Sequence, residues 1–141
     1  MKRARVALVD HYLREWDSRG WASAYHSLVE LGPQVLPEIE ARFLASRDGA
    51  FRAALVELAR QMHSGDALSL FGAALRDASP EVWKNALDGL VALASPDSIA
   101  VLEKAARRSP PGRTSPQEWD EWVREALEQA RAECDARGGA A

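Results

Sequence analysis

Apolar residues recur every three or four positions along most of the chain, which is the spacing of an amphipathic α-helix. The first such stripe contains Val6, Val9, Leu13 and Trp16. No segment alternates strictly between apolar and polar residues, as a half-buried strand would. The pattern therefore predicts an all-α protein.

Capping and helix-breaking residues divide this pattern into eight predicted helices. Gly32-Pro33 ends the second helix, because a C-cap glycine is followed by a proline that cannot continue it. A serine followed by proline begins the last three helices, and Asp66 is expected to cap the fifth. The predicted ranges are 2–17, 21–31, 34–46, 50–63, 67–76, 80–94, 96–108 and 116–136. We expect one domain over residues 1–136 and a disordered tail over 137–141.

An internal repeat runs through the middle of the chain. Ala24-x-x-x-Leu28 recurs as Ala54-x-x-x-Leu58 and as Ala86-x-x-x-Leu90. The helices that follow align in step as Leu36/Ile39/Phe43, Leu68/Phe71/Leu75 and Ile99/Leu102/Ala106. In a stack, each helical hairpin would bury one face against its own partner helix and another against the next hairpin. The repeat therefore predicts a solenoid, and the alternative is an irregular bundle in which the motif recurs by chance.

The segment from Leu75 to Leu102 resembles a bacterial HEAT repeat. The resemblance lies in the turn Asp77-x-x-Pro80-x-Val82, the pair Ala86-Leu87 and the leucines of the second helix. It is good over 75–108, fair over 50–77 and weak over 21–46. It implies a right-handed α-α superhelix of about three hairpins, with the first and last helices as caps. Where the family usually has an arginine after the turn valine, this chain has Trp83, at a position we expect to be at least half exposed.

Composition and charge exclude several classes of function. The chain has 141 residues, and 18 Lys and Arg against 21 Asp and Glu give a net charge of −3, which argues against general attraction to nucleic acid or membranes. The apolar run after the basic N-terminus is too short for a secretory signal or a membrane span, so we expect a cytoplasmic protein. The three histidines and Cys134 have no metal-ligand spacing, and there is no glycine-rich phosphate loop. No cofactor, no metal site and no catalytic residue is predicted.

Five tryptophans in a chain of this length are the most unusual feature of its composition. Trp16, Trp21, Trp119 and Trp122 lie at core spacing near the two ends, where packing is the simpler interpretation. Trp83 differs, because Val82, Ala86 and Leu90 already occupy the inward face of its helix. We therefore take Trp83 as a candidate contact residue.

Two surfaces are candidates for binding a partner. In HEAT-like stacks the second helix of each hairpin lines the concave face, which is a common binding surface in repeat proteins. With Trp83, the candidates for this surface are Arg42, Leu70, Arg76, Val101, Lys104 and Arg108. The last helix carries an acidic strip, which is either a solvated face or a docking site for a basic partner, and which consists of Glu118, Glu121, Glu125 and Glu128.

The function predicted from these features is a non-enzymatic module or adaptor that binds another protein on its concave face. A bacterial immunity or regulator protein is one variant of this class. The alternative is nucleic-acid binding, by resemblance to HEAT-like DNA repair glycosylases, with phosphate contacts from Arg42, Arg76, Lys104, Arg107 and Arg108. A third hypothesis, an enzyme of the HEAT-like bilin lyase type, needs a pocket of acids or a nucleophile that the sequence does not provide.

Overall fold

Eight α-helices, with two short 3-10 segments, make up the ordered structure of residues 2–19 and 21–138, which are the residues described by this computed structural model; no strand occurs among them. The helices are α1 (Lys2–Arg19), α2 (Trp21–Leu31), α3 (Leu36–Ala45), α4 (Gly49–Arg60), α5 (Leu68–Ala74), α6 (Pro80–Leu93), α7 (Pro96–Ala106) and α8 (Pro116–Ala136). The predicted all-α class and the number of helices are confirmed.

The helices pair into successive hairpins that stack in two layers. In the first layer α2 contacts α4, α4 packs along α6, and α6 packs along α8. In the second layer α3 packs against α4, α5 packs against α4 and α6, and α7 packs against α6 and α8, while α1 packs against α2 and α3 ahead of the first hairpin. The chain is therefore a stack of hairpins in sequence order, as the repeat predicted.

Local sequence signals explain most of the helix ends. The Ser95 hydroxyl accepts from the Ser98 amide at 3.1 Å, and the Ser98 hydroxyl accepts from the Ser95 amide at 2.9 Å, so the start of α7 has a complete capping box. At the start of α8 the Ser115 hydroxyl accepts from the Glu118 amide at 3.1 Å. At the end of α2, Gly32 has φ of +83°, a conformation that glycine adopts without strain.

Two predicted helix starts are wrong in detail. Residues 33–35 and 65–67 form 3-10 turns, so α3 and α5 begin later than the periodicity suggested. The cap before α5 is Ser64, whose hydroxyl accepts from the Asp66 amide at 3.1 Å, and not Asp66 itself. Ser79 makes no side-chain cap, although Pro80 does begin α6.

The repeat columns form the core between the layers. Leu28, Leu58 and Leu90 are fully buried at equivalent positions of the first-layer helices, and Ile39, Phe71 and Leu102 are buried in the second-layer helices. In the column formed by Phe43, Leu75 and Ala106, the first two residues are buried, but Ala106 is exposed at the end of α7. Small residues set the layer spacing: a Cβ on Gly89 would lie 2.4 Å from Cζ of Phe71, so α5 and α6 approach each other as closely as they do only with glycine there.

The last described turn of the chain is held against α6. Arg137 follows α8, and its Nη1 donates to the carbonyl of Leu93 at 3.0 Å, while its Nε donates to Glu133 at 3.1 Å. Residue 137 was expected to begin the tail. Residues 139–141 of that predicted tail lie outside the described residues.

Candidate interaction surfaces

Trp83 is fully buried, and the expectation that it is at least half exposed is wrong. Its relative exposure is 0%, and its indole Nε1 donates to Oγ1 of Thr114 at 3.3 Å. Its ring packs edge-on against Trp119, with centroids 5.1 Å apart, and against Trp122 at 6.2 Å. The flank of α6 that carries Trp83 faces α8, so this side chain anchors the last helix and offers no surface to a partner.

The other tryptophans differ in exposure. Trp119 is buried and donates its indole N–H to the carbonyl of Ala105 at 3.3 Å, as expected of a packing residue. Trp122 is 39% exposed, and the ammonium of Lys84 lies 4.5 Å from its ring centroid. Trp16 is half-buried and packs edge-on against Phe51 at 5.6 Å. The side chain of Trp21 lies outside the described residues.

Of the two apolar candidates for the second-layer surface, one is buried and the other is half-buried. Leu70 has a relative exposure of 1%, so it is not available to a partner in this structure. Because Leu70 comes one residue before Phe71, the sequence predicts that it lies in a surface row beside the buried column that contains Phe71. α5 is short and covered on that side, and both side chains are buried. Val101 is half-buried and packs against the core.

Arg42 lies apart from the other basic candidates. It is on α3, is exposed, and pairs with Asp10 of α1. This ion pair joins α1 to the second layer. The positive charge of Arg42 is therefore already opposed by a carboxylate.

Four basic residues lie at or just after the C-terminal ends of α5 and α7, and we call this set the basic end: Arg76, Lys104, Arg107 and Arg108. Arg108 crosses from α7 to α5, where its Nη2 donates to the carbonyl of Leu75 at 3.5 Å, and its guanidinium lies 5.9 Å from the ring centroid of Trp119. Burial lowers the pKa of the Arg108 guanidinium from its ordinary value, and the neighbouring positive charge of Arg76 lowers it further. None of the four makes an ion pair with the carboxylates described.

The acidic strip of α8 is mostly open to solvent. Glu121, Glu125 and Glu128 are exposed, whereas Glu118 is half-buried and pairs with Lys84 at 3.3 Å. Glu125 also accepts a hydrogen bond from Gln129 at 3.3 Å. Because its first member is neutralised by Lys84, the strip that remains open consists of three carboxylates.

A groove that the sequence did not predict lies on the first-layer side, between α2, α4 and α6 and beside the end of α1. It has a volume of about 390 Å³. Three half-buried aromatic rings line it, from Trp16, Tyr25 and Phe51, and three carboxylates, from Asp48, Glu57 and Glu81. We call it the aromatic groove. Its remaining lining is small or polar: Ala50, Ala53, Ala54 and Asn85.

One repeat position makes the groove possible. Ala24 and Ala86 are 0% exposed, but the equivalent residue Ala54 is half-buried and lines the groove. Asn85 of α6 donates its amide N–H to the carbonyl of Ala53 at 3.2 Å, which fixes the distance between α4 and α6 below it. The aromatic residues come from three different helices. The sequence feature that corresponds to the groove is a set of polar residues around the alanine-rich stretch of α4, and it did not lead to a prediction.

The comparison with known families identifies the repeat. A profile of HEAT repeats matches residues 36–115, which cover α3 to α7 and more than half of the chain. The chain belongs to the HEAT repeat family. The resemblance inferred from the turn before α6, the Ala86-Leu87 pair and Leu102 of α7 is thereby confirmed. Neither the search of curated proteins nor the search of solved structures finds a significant match.

Membership of the HEAT family gives a general expectation of function and no specific partner. HEAT repeats are commonly protein-interaction modules, and the family generally consists of non-catalytic scaffolds. Of the helices described, none is both long enough and apolar enough to cross a membrane. Within the same residues, no group of three or more His, Cys, Asp or Glu side chains is arranged to hold a metal ion.

Proposed function

We propose that this HEAT repeat protein is a non-enzymatic adaptor that binds an acidic segment of another protein at the basic end of its second layer. The observation that carries the proposal is that the four cationic residues at the ends of α5 and α7 have no carboxylate partner among the described residues, with Arg76 close enough to act on the charge of Arg108. Two exposed arginines of α8 are paired, Arg124 with Asp120 at 2.5 Å and Arg131 with Glu103 at 2.9 Å, whereas exposed Arg47 pairs with no described carboxylate.

The electrostatics of the basic end favour an anionic partner. Like charges held close together raise the free energy of the unbound protein, and a carboxylate-rich segment would relieve that repulsion. Arginine suits this role because its planar guanidinium binds a carboxylate through two parallel hydrogen bonds. Half-buried Val101, another candidate position of the second layer, would extend the contact along α7.

Nucleic acid is the competing anionic partner for the same side chains. The net charge of −3 and the open carboxylates of α8 would repel a long polyanion. We therefore favour a protein partner. The concave shape of the second-layer face, the right-handed sense of the stack, a bacterial immunity or regulator role and a cytoplasmic location all stay predictions.

A charge-reversal experiment tests the proposal. The wild-type protein would be used to capture partners from a lysate of its source, and the captured protein would then be purified and titrated against three forms of the chain. The test form carries Arg76→Glu, Lys104→Glu and Arg107→Glu, all at exposed positions. The matched control carries Arg47→Glu, because Arg47 is also exposed and makes no ion pair with any described carboxylate.

The expected result is that the triple variant binds the purified partner at least about tenfold more weakly, while Arg47→Glu binds as the wild type does. Binding should weaken as salt is added. Equal affinity of all three forms would remove the basic end as the binding surface. Capture that disappears after nuclease treatment would favour the nucleic-acid alternative instead.

A further inference from the structure

The aromatic groove combines two features that together recognise one chemical group. Its lining includes three aromatic rings, whose π systems attract a cation, and three carboxylates, which supply negative charge. The guanidinium of arginine is planar, weakly hydrated and able to stack on aromatic rings while it donates to carboxylates. We propose that the aromatic groove binds an arginine side chain from a basic segment of a partner protein.

The carboxylates of the groove are only partly committed to partners in the chain itself. Glu81 is exposed and makes no ion pair or hydrogen bond with any described residue. Glu57 lies 4.0 Å from Arg60, at the outer limit of an ion pair. Asp48 accepts from the amide of Ala50 at 3.0 Å as the cap of α4, and its negative charge remains close to the groove.

The amide of Asn85 adds a directional contact. Its Nδ2 is used in the hydrogen bond to Ala53, which leaves Oδ1 without a donor among the described residues. A guanidinium carries five N–H donors in one plane. An arginine that entered between the rings could therefore donate to Asn85 and to Glu81 from the same group.

The environment of Tyr25 is consistent with a half-buried and acidic pocket wall. Burial raises the pKa of the Tyr25 phenol above its ordinary value of 10.0, and the charge of Glu57 raises it further, against a smaller opposing influence of Arg60. A cation placed between the ring and Glu57 would meet a negative potential that water screens only in part.

The groups next to the side chain separate the two sources of arginine. Free arginine carries an α-ammonium and an α-carboxylate, and both ions would have to give up water at the edge of the groove. An arginine within a peptide chain has neutral amides in their place. The volume of about 390 Å³ is at the lower end of the range for ligand pockets and suits a side chain better than a folded segment. This site is separate from the basic end, and it binds the opposite charge.

Nuclear magnetic resonance titration of the whole protein tests the proposal. The probe is the capped peptide Gly-Gly-Arg-Gly-Gly, and the comparison peptides replace its arginine with citrulline, which has the same shape without the charge, or with lysine. Free arginine is the fourth probe. The readout is the shift of the backbone amides of Ala50, Ala54 and Asn85 and of the Trp16 indole.

The arginine peptide should shift these signals, with citrulline about tenfold weaker because the cation–π and charge interactions are lost. The lysine peptide and free arginine should both bind more weakly than the arginine peptide. No shift of the groove signals up to about 10 mM peptide would overturn the proposal. If the citrulline peptide binds as tightly as the arginine peptide, the groove does not recognise the positive charge. If the lysine peptide binds more tightly, the groove does not prefer a guanidinium. If free arginine binds as tightly, the ligand need not be part of a protein segment.

Two variants link the binding to the groove. Glu81→Gln keeps the size of the side chain and should weaken the arginine peptide about threefold, whereas Glu121→Gln, an exposed acid of α8, should leave its affinity unchanged. Ala54→Leu places a larger side chain on the groove wall and should abolish the shifts. If both groove variants fold and bind as the wild type does, the arginine site is not in this groove.

Discussion

The close approach of α5 and α6 at Gly89 makes a stability prediction that can be worked from the structure. An alanine Cβ at this position would lie 2.4, 2.7 and 2.8 Å from three ring atoms of Phe71, where an ordinary carbon–carbon contact is about 3.5–4.0 Å. Phe71 is 1% exposed, so its ring cannot move into solvent. Gly89→Ala therefore forces the two helices apart or drives the ring from its preferred rotamer.

Two opposing effects set the size of the change. Replacing glycine with alanine inside a helix is favourable by about 1 kcal/mol. Overpacking a filled core costs about 1–3 kcal/mol, and a contact more than about 1 Å too short belongs at the upper end of that range. We expect Gly89→Ala to lower the free energy of unfolding by about 1–2 kcal/mol.

Gly72→Ala is the matched control, because Gly72 also lies inside a helix but a Cβ there would meet nothing within 4 Å. It should raise the free energy of unfolding by about 0.5–1 kcal/mol. Urea unfolding followed by circular dichroism measures both changes. In the Gly89→Ala background, Phe71→Leu should cost less than it does in the wild type, because the smaller side chain relieves the clash. A Gly89→Ala protein as stable as Gly72→Ala would refute the close approach.

Three further changes test other contacts. Trp83→Ala should cost about 3–5 kcal/mol of unfolding free energy, because it empties a fully buried site, while Trp122→Ala at its more exposed neighbour should cost about 1 kcal/mol; equal costs in urea unfolding would contradict the packing of α8. Asp77→Ala should cost about 2–3 kcal/mol, since Arg52 donates to both carboxylate oxygens at 2.7 and 3.1 Å and would keep only its hydrogen bond to the Ser46 carbonyl; thermal unfolding of this variant beside the wild type measures the loss. The raised pKa of Tyr25 stabilises the fold below the ordinary value of 10.0, and this contribution is lost as the pH rises through the folded-state pKa. Tyr25→Phe should therefore lose less stability than the wild type between about pH 9 and 11, and parallel pH profiles would show that the shift is absent.

Local signals in the sequence were sufficient to predict the elements of this fold. A serine followed by proline begins three helices, and Gly32-Pro33 ends another, because the physical cause of each boundary lies within a few residues of it. The two 3-10 turns before α3 and α5 were not predicted. Each spans only three residues, which is too short for its apolar spacing to differ from that of the α-helix that follows.

Surfaces were harder to predict, because exposure depends on which neighbouring helix covers each flank. Trp83 lies beside buried residues at helical spacing, and only the position of α8 decides that it is covered as well. Ala54 differs in the opposite direction. Its place in a core column of the repeat predicts full burial, but it is half-buried beside the aromatic groove. All four residues of the basic end are named in the sequence analysis, Arg107 only for the nucleic-acid alternative, and Arg42 is the basic candidate that the structure separates from them. Their role in binding stays a prediction.

The outward side of α8 has a consequence for how copies of this chain meet one another. Glu121, Arg124, Glu125 and Glu128 all point to water along the flank where a further hairpin would otherwise stack. A second molecule approaching that flank would have to strip water from ionised groups before it made any apolar contact. Regular stacks carry an inherent risk of growing into fibres, and at this boundary the hydration of α8 works against such growth.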